Sequence, residues 1–256
     1  MTDVTVVRAD NPGPMTLDGT RSYVLRAPGA TGAVVVDPGP DDGRHLAALA
    51  AAGPVEIVLI THRHADHTAG SRRLRELTGA PVRAADPAHC HGGEPLRDGE
   101  RIEAAGVQID VLATPGHTAD SVSFVVTTPG AAPTVLTGDT VLGRGTTVIA
   151  EPDGSLRDYL ASLDALERVG DGRLGLPAHG PALDDLGDAV RAYRAHRLER
   201  LAQVHRALEA LGIGPDDAGT ADAVVAHVYA DVDPSVRRAA RQSVVAQLAY
   251  LRDEPA

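Results

Sequence analysis

Apolar positions along the first 186 residues follow two rhythms. Short runs rich in β-branched residues read as strands, because such side chains pack well on a pleated surface. Tyr23–Arg26 and Ala33–Val36 are consecutive strands of this kind, the second entering the turn Asp37-Pro-Gly-Pro40. Val55–Ile60, Pro81–Ala84, Val107–Leu112, Val122–Thr127 and Thr134–Leu136 continue the series. Between them the spacing turns helical. Asp42–Ala52 places Leu46, Leu49 and Ala50 on one face, and a helix through Arg72–Leu77 stops at Gly79. Ser155 is a cap for a helix carrying Leu156, Tyr159, Leu160, Leu163 and Leu166. Arg173–Leu176 then leads into Pro177-Ala-His-Gly180. From Asp184 onward the pattern is helical alone: Leu186–Leu211, the break Gly212-Ile-Gly-Pro215, then Thr220–Tyr229 and Pro234–Leu251, with Pro234 suited to a first helical position. Strands that first pair in meanders and then alternate with helices predict an α/β chain, two sheets sandwiched between helical layers. The expected division is a first domain over residues 1–186 and a helical subdomain over 187–256.

Composition narrows this picture. A hydrophobic fraction of 43% supports a proper core, and with aromatics at 2% that core must be Val, Leu, Ile and Ala. The net charge is -11 and all 24 basic residues are arginine. Such a balance argues against broad attraction to nucleic acid or anionic membrane, though it leaves a local basic groove open. The single cysteine, Cys90, excludes an intrachain disulfide and a cysteine-rich zinc module. No apolar run is long enough to span a membrane and MTDVTVVRADNPGP lacks signal-peptide character, so the expected location is cytoplasmic.

The chemistry is concentrated in Thr61–Gly70, THRHADHTAG, which holds three of the chain's 11 histidines. Neutral imidazole and carboxylate are ordinary ligands for zinc and its neighbours. His62 and His64 stand two apart and point the same way in an extended stretch. Asp66 and His67 follow after the chain turns and face a second point. Three later loops each place one more candidate behind a strand: Thr114-Pro-Gly-His117, Thr137-Gly-Asp139 and Leu176-Pro-Ala-His179. Asp139 has the alternative of capping a turn. Asp37 either supports the metal loop through hydrogen bonds or only makes its turn. His89-Cys-His91 is either a metal-binding fragment or an exposed loop.

This set resembles the metallo-β-lactamase-fold hydrolase superfamily. The HxHxDH motif followed by distant His, Asp and His is similar to its glyoxalase II-like, two-metal branch. NPGPMTLDGT, TPGHTADS, GDTVLGRGTTV and the helical tail from HRLERL are closer still to the lactamase-beta-like subfamily, which includes endoribonucleases and carries a winged-helix-like tail. The resemblance implies an αββα sandwich and two divalent ions per chain, zinc first, with iron or manganese as alternatives. It implies that His62, His64 and His117 hold one ion, that Asp66, His67 and His179 hold the other, and that Asp139 bridges them. Asp66 would be the catalytic residue, orienting a bridging hydroxide.

The acidic surface and the shortage of stacking aromatics favour hydrolysis of a small ester or thioester; the alternative, which the closest resemblance implies, is cleavage of single-stranded RNA. A β-lactamase is a third reading, disfavoured because those enzymes generally lack the bridging aspartate. RNA binding wants a basic groove with aromatic platforms. Gly187–Ala256 holds 9 arginines against 10 acidic residues, and only Arg237, Arg238 and Arg241 form a thin basic stripe. Arg144 either reads an anionic part of the substrate or pairs with a surface acid. Asp120-Ser121 stands where many glyoxalase-type relatives have Gly-His, and Ala178 where they have Gly. Both departures argue against a glutathione thioester while leaving every ligand in place. The tail's apolar positions must pack on each other, on the first domain or on a second subunit, so a homodimer stays open. Because all seven ligands lie at or before His179, the tail is expected to act on access or assembly and not on the chemistry.

Overall fold

The computed structural model describes residues 3–230 and 237–253. Pro234 and the helix start proposed there lie outside the described residues. Two five-stranded sheets form the centre. The first runs β1 (Asp3–Arg8), β2 (Arg21–Arg26), β3 (Ala33–Val36), β4 (Val55–Leu59) and β5 (Val82–Arg83), in that order. The second runs β10 (Gly175–Pro177), β9 (Thr134–Gly138), β8 (Val122–Thr127), β7 (Val107–Ala113) and β6 (Arg101–Ala104). Antiparallel hairpins join β1–β2–β3 and β6–β7–β8–β9, whereas β3–β4, β4–β5 and β9–β10 pair in parallel. Parallel neighbours need a crossover. Helix α1 (Gly43–Ala50) supplies it after β3, α2 (Ala65–Thr68) and α3 (Ser71–Thr78) after β4, and α4 (Leu156–Gly170) after β9.

Period-2 alternation explains how the layers stack. Tyr23, Leu25, Val34, Val36, Ile57 and Leu59 face the second sheet and meet Ile109, Phe124 and Leu136 in the central core. Their odd-register neighbours Val24, Val35 and Val58 turn the other way, onto Leu46 and Leu49 of α1 and Leu74 of α3. Val125 and Val135 likewise leave the centre to pack under Leu156, Tyr159 and Leu163 of α4. Strands buried on both faces read as unbroken apolar runs, which is why these were visible in the sequence. Edge strands β1 and β6 were not. Their mixed stretches DVTVVR and RIEA leave alternate residues exposed and offer no such run.

Ser155 caps its helix as expected, and Asp42, the expected first residue of a helix, is the cap before it. Asp42 accepts the Arg44 and His45 amides at the start of α1, and Ser155 accepts the Asp158 amide at the start of α4.

Three helices complete the chain: α5 (Leu186–Leu211), α6 (Thr220–Val228) and α7 (Arg237–Arg252). The border expected at 186 falls inside one packing unit. Leu186, Val190 and Tyr193 of α5, with Ala246 of α7, belong to the same core as α4. Further along, Val204, Ala207 and Leu208 of α5 join Val224, Val244 and Leu248 in a separate small core. Helix α5 is therefore shared. Its first half completes the sandwich, and its second half founds the tail.

Candidate metal centre

The ligand loops leave the C-terminal ends of β4, β7, β9 and β10, so both sheets deliver side chains to one rim. After β4 the chain leaves the sheet, bends at Thr61 and enters α2 after His64, which brings His67 back beside His62. The neighbouring strand β3 ends at Val36, and the next residue, Asp37, is held at a φ of 53°. That backbone is uncommon for a non-glycine residue and aims the carboxylate across the strand ends. Its Oδ1 accepts the Thr61 amide at 2.8 Å, and its Oδ2 accepts Thr61 Oγ1 at 2.7 Å and meets His67 Nδ1 at 2.8 Å. Since Thr61 Oγ1 donates to Asp37, it accepts from His62 Nδ1, 3.1 Å away. One buried carboxylate thus fixes two imidazoles with their Nε2 atoms turned inward, the usual role of partners behind metal-binding histidines.

The His117 loop is held by α4. Gly116 has a φ of 131°, and a Cβ there would lie 2.4 Å from the Tyr159 backbone, so only glycine lets the loop rest on the helix. Ser162 Oγ donates to the Pro115 carbonyl at 2.7 Å. His117 Nδ1 donates to the Val148 carbonyl at 2.7 Å, again leaving Nε2 inward.

Seven side chains converge in two groups suited to a metal ion. In the first, His64 Nδ1 lies 3.0 Å from both His62 Nε2 and His117 Nε2, and Asp139 Oδ2 stands 4.0 and 3.7 Å from those two Nε2 atoms. In the second, Asp66 Oδ2 is 3.2 Å from His67 Nε2 and from His179 Nε2. Asp139 Oδ1 completes that group at 3.6 and 3.3 Å. The two oxygens of Asp139 face different groups. His67 Nε2, His179 Nε2 and Asp139 Oδ1 are all buried without a hydrogen-bond partner. Buried polar atoms are rarely left so, and a cation in the second group satisfies all three, while the first group offers the same His/Asp donor chemistry. The residues fit a pair of ions.

The electrostatics of the two groups differ. Burial, and then the nearby His67, pushes His62 well below its ordinary range; burial and His117 push His64 down. In the second group burial works in the same direction, but Asp37, Asp139 and Asp66 overcome it and raise His67 well above its ordinary value. His179, similarly opposed by burial, is raised to about 9 by Asp139 and Asp66. Burial would lift the Asp66 and Asp139 carboxyls, yet the imidazoles, His67 foremost, hold both far below the usual carboxylate range. The first group offers neutral lone pairs; the second calls for positive charge.

Several neighbours escaped the sequence reading. Arg63, between two ligands, turns away and binds Asp120 at 3.2 Å and Asp153 at 2.5 Å. Asp120 therefore anchors the metal loop, while Ser121 Oγ lies 2.7 Å from Thr118 Oγ1 and closes the turn after His117. The tail also reaches the site. Tyr159 donates to the Thr140 carbonyl at 2.6 Å, next to Asp139, and Tyr193 of α5 bonds Leu142 through both its amide (2.9 Å) and carbonyl (3.2 Å). Arg197 of α5 covers the Tyr159 ring and donates to the Thr147 carbonyl, and Thr147 Oγ1 lies 3.2 Å from His117 Nδ1. The signal was a tyrosine on an apolar helix face, whose hydroxyl must find a partner once buried.

Other candidates stand apart from the centre. Arg144 is exposed, with no ion pair among the described residues. Around Cys90 no metal-suited group forms among the described residues: its Sγ bonds the Ala84 backbone, and His91 pairs with Val82 through main-chain atoms. Arg241 of the basic stripe is bound to Asp222 at 2.6 Å, and the Arg238 side chain lies outside the described set.

Comparison with known proteins fits this geometry. Residues 220–254 match the beta-lactamase associated winged helix domain. The chain is 32% identical to the beta-lactamase-like protein 2 homolog of Caenorhabditis elegans, over 94% of this chain and 81% of that protein. It is 33% identical to an atrochrysone carboxyl ACP thioesterase of Aspergillus fumigatus, over 79% of this chain and 64% of the relative. A metallo-beta-lactamase family protein from Thermus thermophilus superposes with a TM-score of 0.75, covering 98% of this chain and 93% of that one; at 23% identity this is a likeness of fold. Residues 15–179, which span every ligand loop, match the metallo-beta-lactamase superfamily, and the chain belongs to that superfamily of hydrolases.

Proposed function

We propose that this protein is a two-metal hydrolase of small acyl thioesters or esters. The observation that carries the reading is Asp139, whose Oδ2 and Oδ1 face two separate ligand groups. His62, His64 and His117 would hold one ion, Asp66, His67 and His179 the other, with Asp139 shared. Zinc suits an all-His/Asp set, with iron and manganese as the alternatives. Such a pair, when bound, acidifies water and polarises the acyl oxygen.

The remaining work belongs to the chain. Thr20 Oγ1 donates to Asp66 Oδ2 at 3.1 Å, which fixes that carboxylate and leaves its other oxygen to orient the attacking water as the catalytic residue. Asp37 keeps His67 in its tautomer. Tyr159 and Tyr193 are committed to main-chain partners, so neither stands ready as an acid for the leaving group. A thiolate, whose conjugate acid has a pKa of about 8.5, departs without one. That favours a thioester over an amide. The thioesterase named among the relatives supports the same class. Exposed Arg144, five residues past Asp139, is the proposed reader of an anionic part of the substrate.

The RNA reading has less support, because tail arginines 191, 194, 241 and 252 are each ion-paired with a carboxylate. Among the described residues no helix is long and apolar enough to cross a membrane. Elemental analysis should find two divalent ions per chain, and thioester hydrolysis should disappear on chelation and return on adding metal. Chelated protein that hydrolyses thioesters at the same rate would sink the proposal.

A further inference from the structure

A cavity of about 360 Å³ lies between the loop at residues 146–148, helix α5 and the C-terminal helices. Thr147, Arg197, Arg200, Tyr229, Ser243 and Gln247 are among its walls. On one side only this loop separates it from the metal centre, since Val148 and Thr147 line the cavity and also hold His117 Nδ1.

Two guanidiniums on its walls lack a carboxylate partner among the described residues. Arg194, one turn earlier on α5, is paired with Asp164 at 3.0 Å, and Arg241 and Arg252 also have carboxylate partners. Arg197 and Arg200 have none among the described residues. Arg197 lies over Tyr159 and bonds Thr147, while Arg200 lies 4.4 Å over the Tyr229 ring and donates to Gln203. His196, on the same wall, is pushed down first by burial and then by these two guanidiniums. In a chain of net charge -11, positive potential has been collected here and left uncompensated. Polar atoms are left open as well. Arg197 is 5% exposed and Gln247 3%, yet Arg197 Nε and Gln247 Oε1 are buried without any partner. A guanidinium fork suits the oxygens of a phosphate, and a lone amide oxygen calls for an N–H or O–H donor beside that anion.

We propose that this cavity binds the phosphate end of the substrate, carried on the thiol half of the thioester. Arg200 and Arg197 take the phosphate oxygens, and Gln247 accepts from an amide or hydroxyl next to them. The assignment rests on the thioester reading above. It makes the junction of sandwich and tail a specificity site, with the Thr147–Val148 loop as the shared wall. The phosphate can come from a free phosphorylated thiol or from the same arm attached to a carrier protein.

The test uses the metal-loaded full chain with two thioesters, S-acetyl-4′-phosphopantetheine and S-acetyl-pantetheine. The phosphorylated form should show a KM lower by about tenfold or more at similar kcat, the scale of one charge-assisted hydrogen-bonded contact. Arg200→Gln should erase that difference. So should Ser243→Asp, which adds a carboxylate to the cavity wall without disturbing the Arg200–Tyr229 stack. Arg194→Gln should preserve it. Equal KM values for the two thioesters in the unaltered protein would overturn the subsite and leave thioester hydrolysis standing. Arg200-dependent binding of 4′-phosphopantetheine, with neither thioester hydrolysed, would uphold the subsite and sink the proposed reaction. An acetylated arm on a carrier protein that shows the same Arg200 dependence would identify the carrier as the source; dependence confined to the free arm would identify a soluble thiol. Displacement of the phosphorylated arm by a single-stranded RNA oligonucleotide at equal phosphate concentration would overturn the small-substrate assignment.

Discussion

The two ligand groups share Asp139 and differ in almost everything else. The first holds His62 and His64, whose imidazoles burial keeps neutral, and it opens to solvent at the exposed His64. The second is more enclosed, with His67 and His179 fully buried between carboxylates that favour positive charge. Their supports differ too. His67 rests on Asp37 at the end of a central strand, whereas His117 rests on a loop that α5 of the tail holds in place. The candidate centre thus has a half anchored in the sandwich and a half anchored partly by the tail. Three substitutions should separate these dependences, and a fourth should leave both untouched.

The largest effect is expected from Asp139→Asn, the one change that touches both groups. Both ions should be lost or weakened, with thioester turnover down by about 10² or more, on the scale of removing a transition-state contact of roughly 3 kcal/mol. Elemental analysis that still finds two tightly held ions would break the bridging role. Next in size, Asp37→Asn should weaken the second group selectively, by about 10–100-fold in affinity, since partners behind metal-binding histidines act on that scale. Stepwise metal titration reads it: a uniform loss at both sites would mean that Asp37 supports the loop as a whole.

A smaller shift is expected from Arg197→Ala, which removes the contact between α5 and the His117 loop. Affinity at the first group should fall by about tenfold or less while the second holds, and cobalt-substituted protein should show a changed visible spectrum only for the first-bound environment. An unchanged titration with lower thermal stability would make Arg197 a packing residue. The same packing bears on truncation. Cutting the chain near Asp184 removes Leu186, Val190 and Tyr193 from the α4 core, so the shortened protein should be strongly destabilised. A well-folded truncation with both ions would disprove the shared role of α5.

The smallest effect lies away from both groups. His45, buried beside Ser22 Oγ at 2.8 Å, has its pKa lowered, chiefly by burial. A folded pKa below the unfolded value of about 6.5 means the unfolded chain binds more protons as pH falls. The stability tied to neutral His45 is therefore complete above about pH 6.5 and declines on acidification toward the folded value. His45→Asn should flatten that part of the melting-temperature profile between pH 7.5 and 5.5 by a few degrees at most. An identical profile in the variant would show that the ring does not titrate there.

What the sequence determined by itself was local. Four candidate ligands within residues 62–67, and three more behind strands in Gly- and Pro-rich turns, were legible as candidates because ligand chemistry and strand ends are written in a few adjacent residues. The doubly buried strands were legible for the same reason, as continuous apolar runs. Only the tertiary structure decided which oxygen of Asp139 faces which group, and that His64 turns Nδ1 inward where His62, His67 and His117 turn Nε2. It also decided that Asp37 joins Thr61 and His67, and that Arg197 reaches Thr147, contacts spanning 24 to 50 residues. Edge strands β1 and β6 needed their partners to exist at all, since hydrogen bonding to a neighbour makes an edge while its exposed face leaves no pattern to read. Local chemistry names the ligands. The path of the backbone in space sets their neighbours, their tautomers and the helix that steadies them.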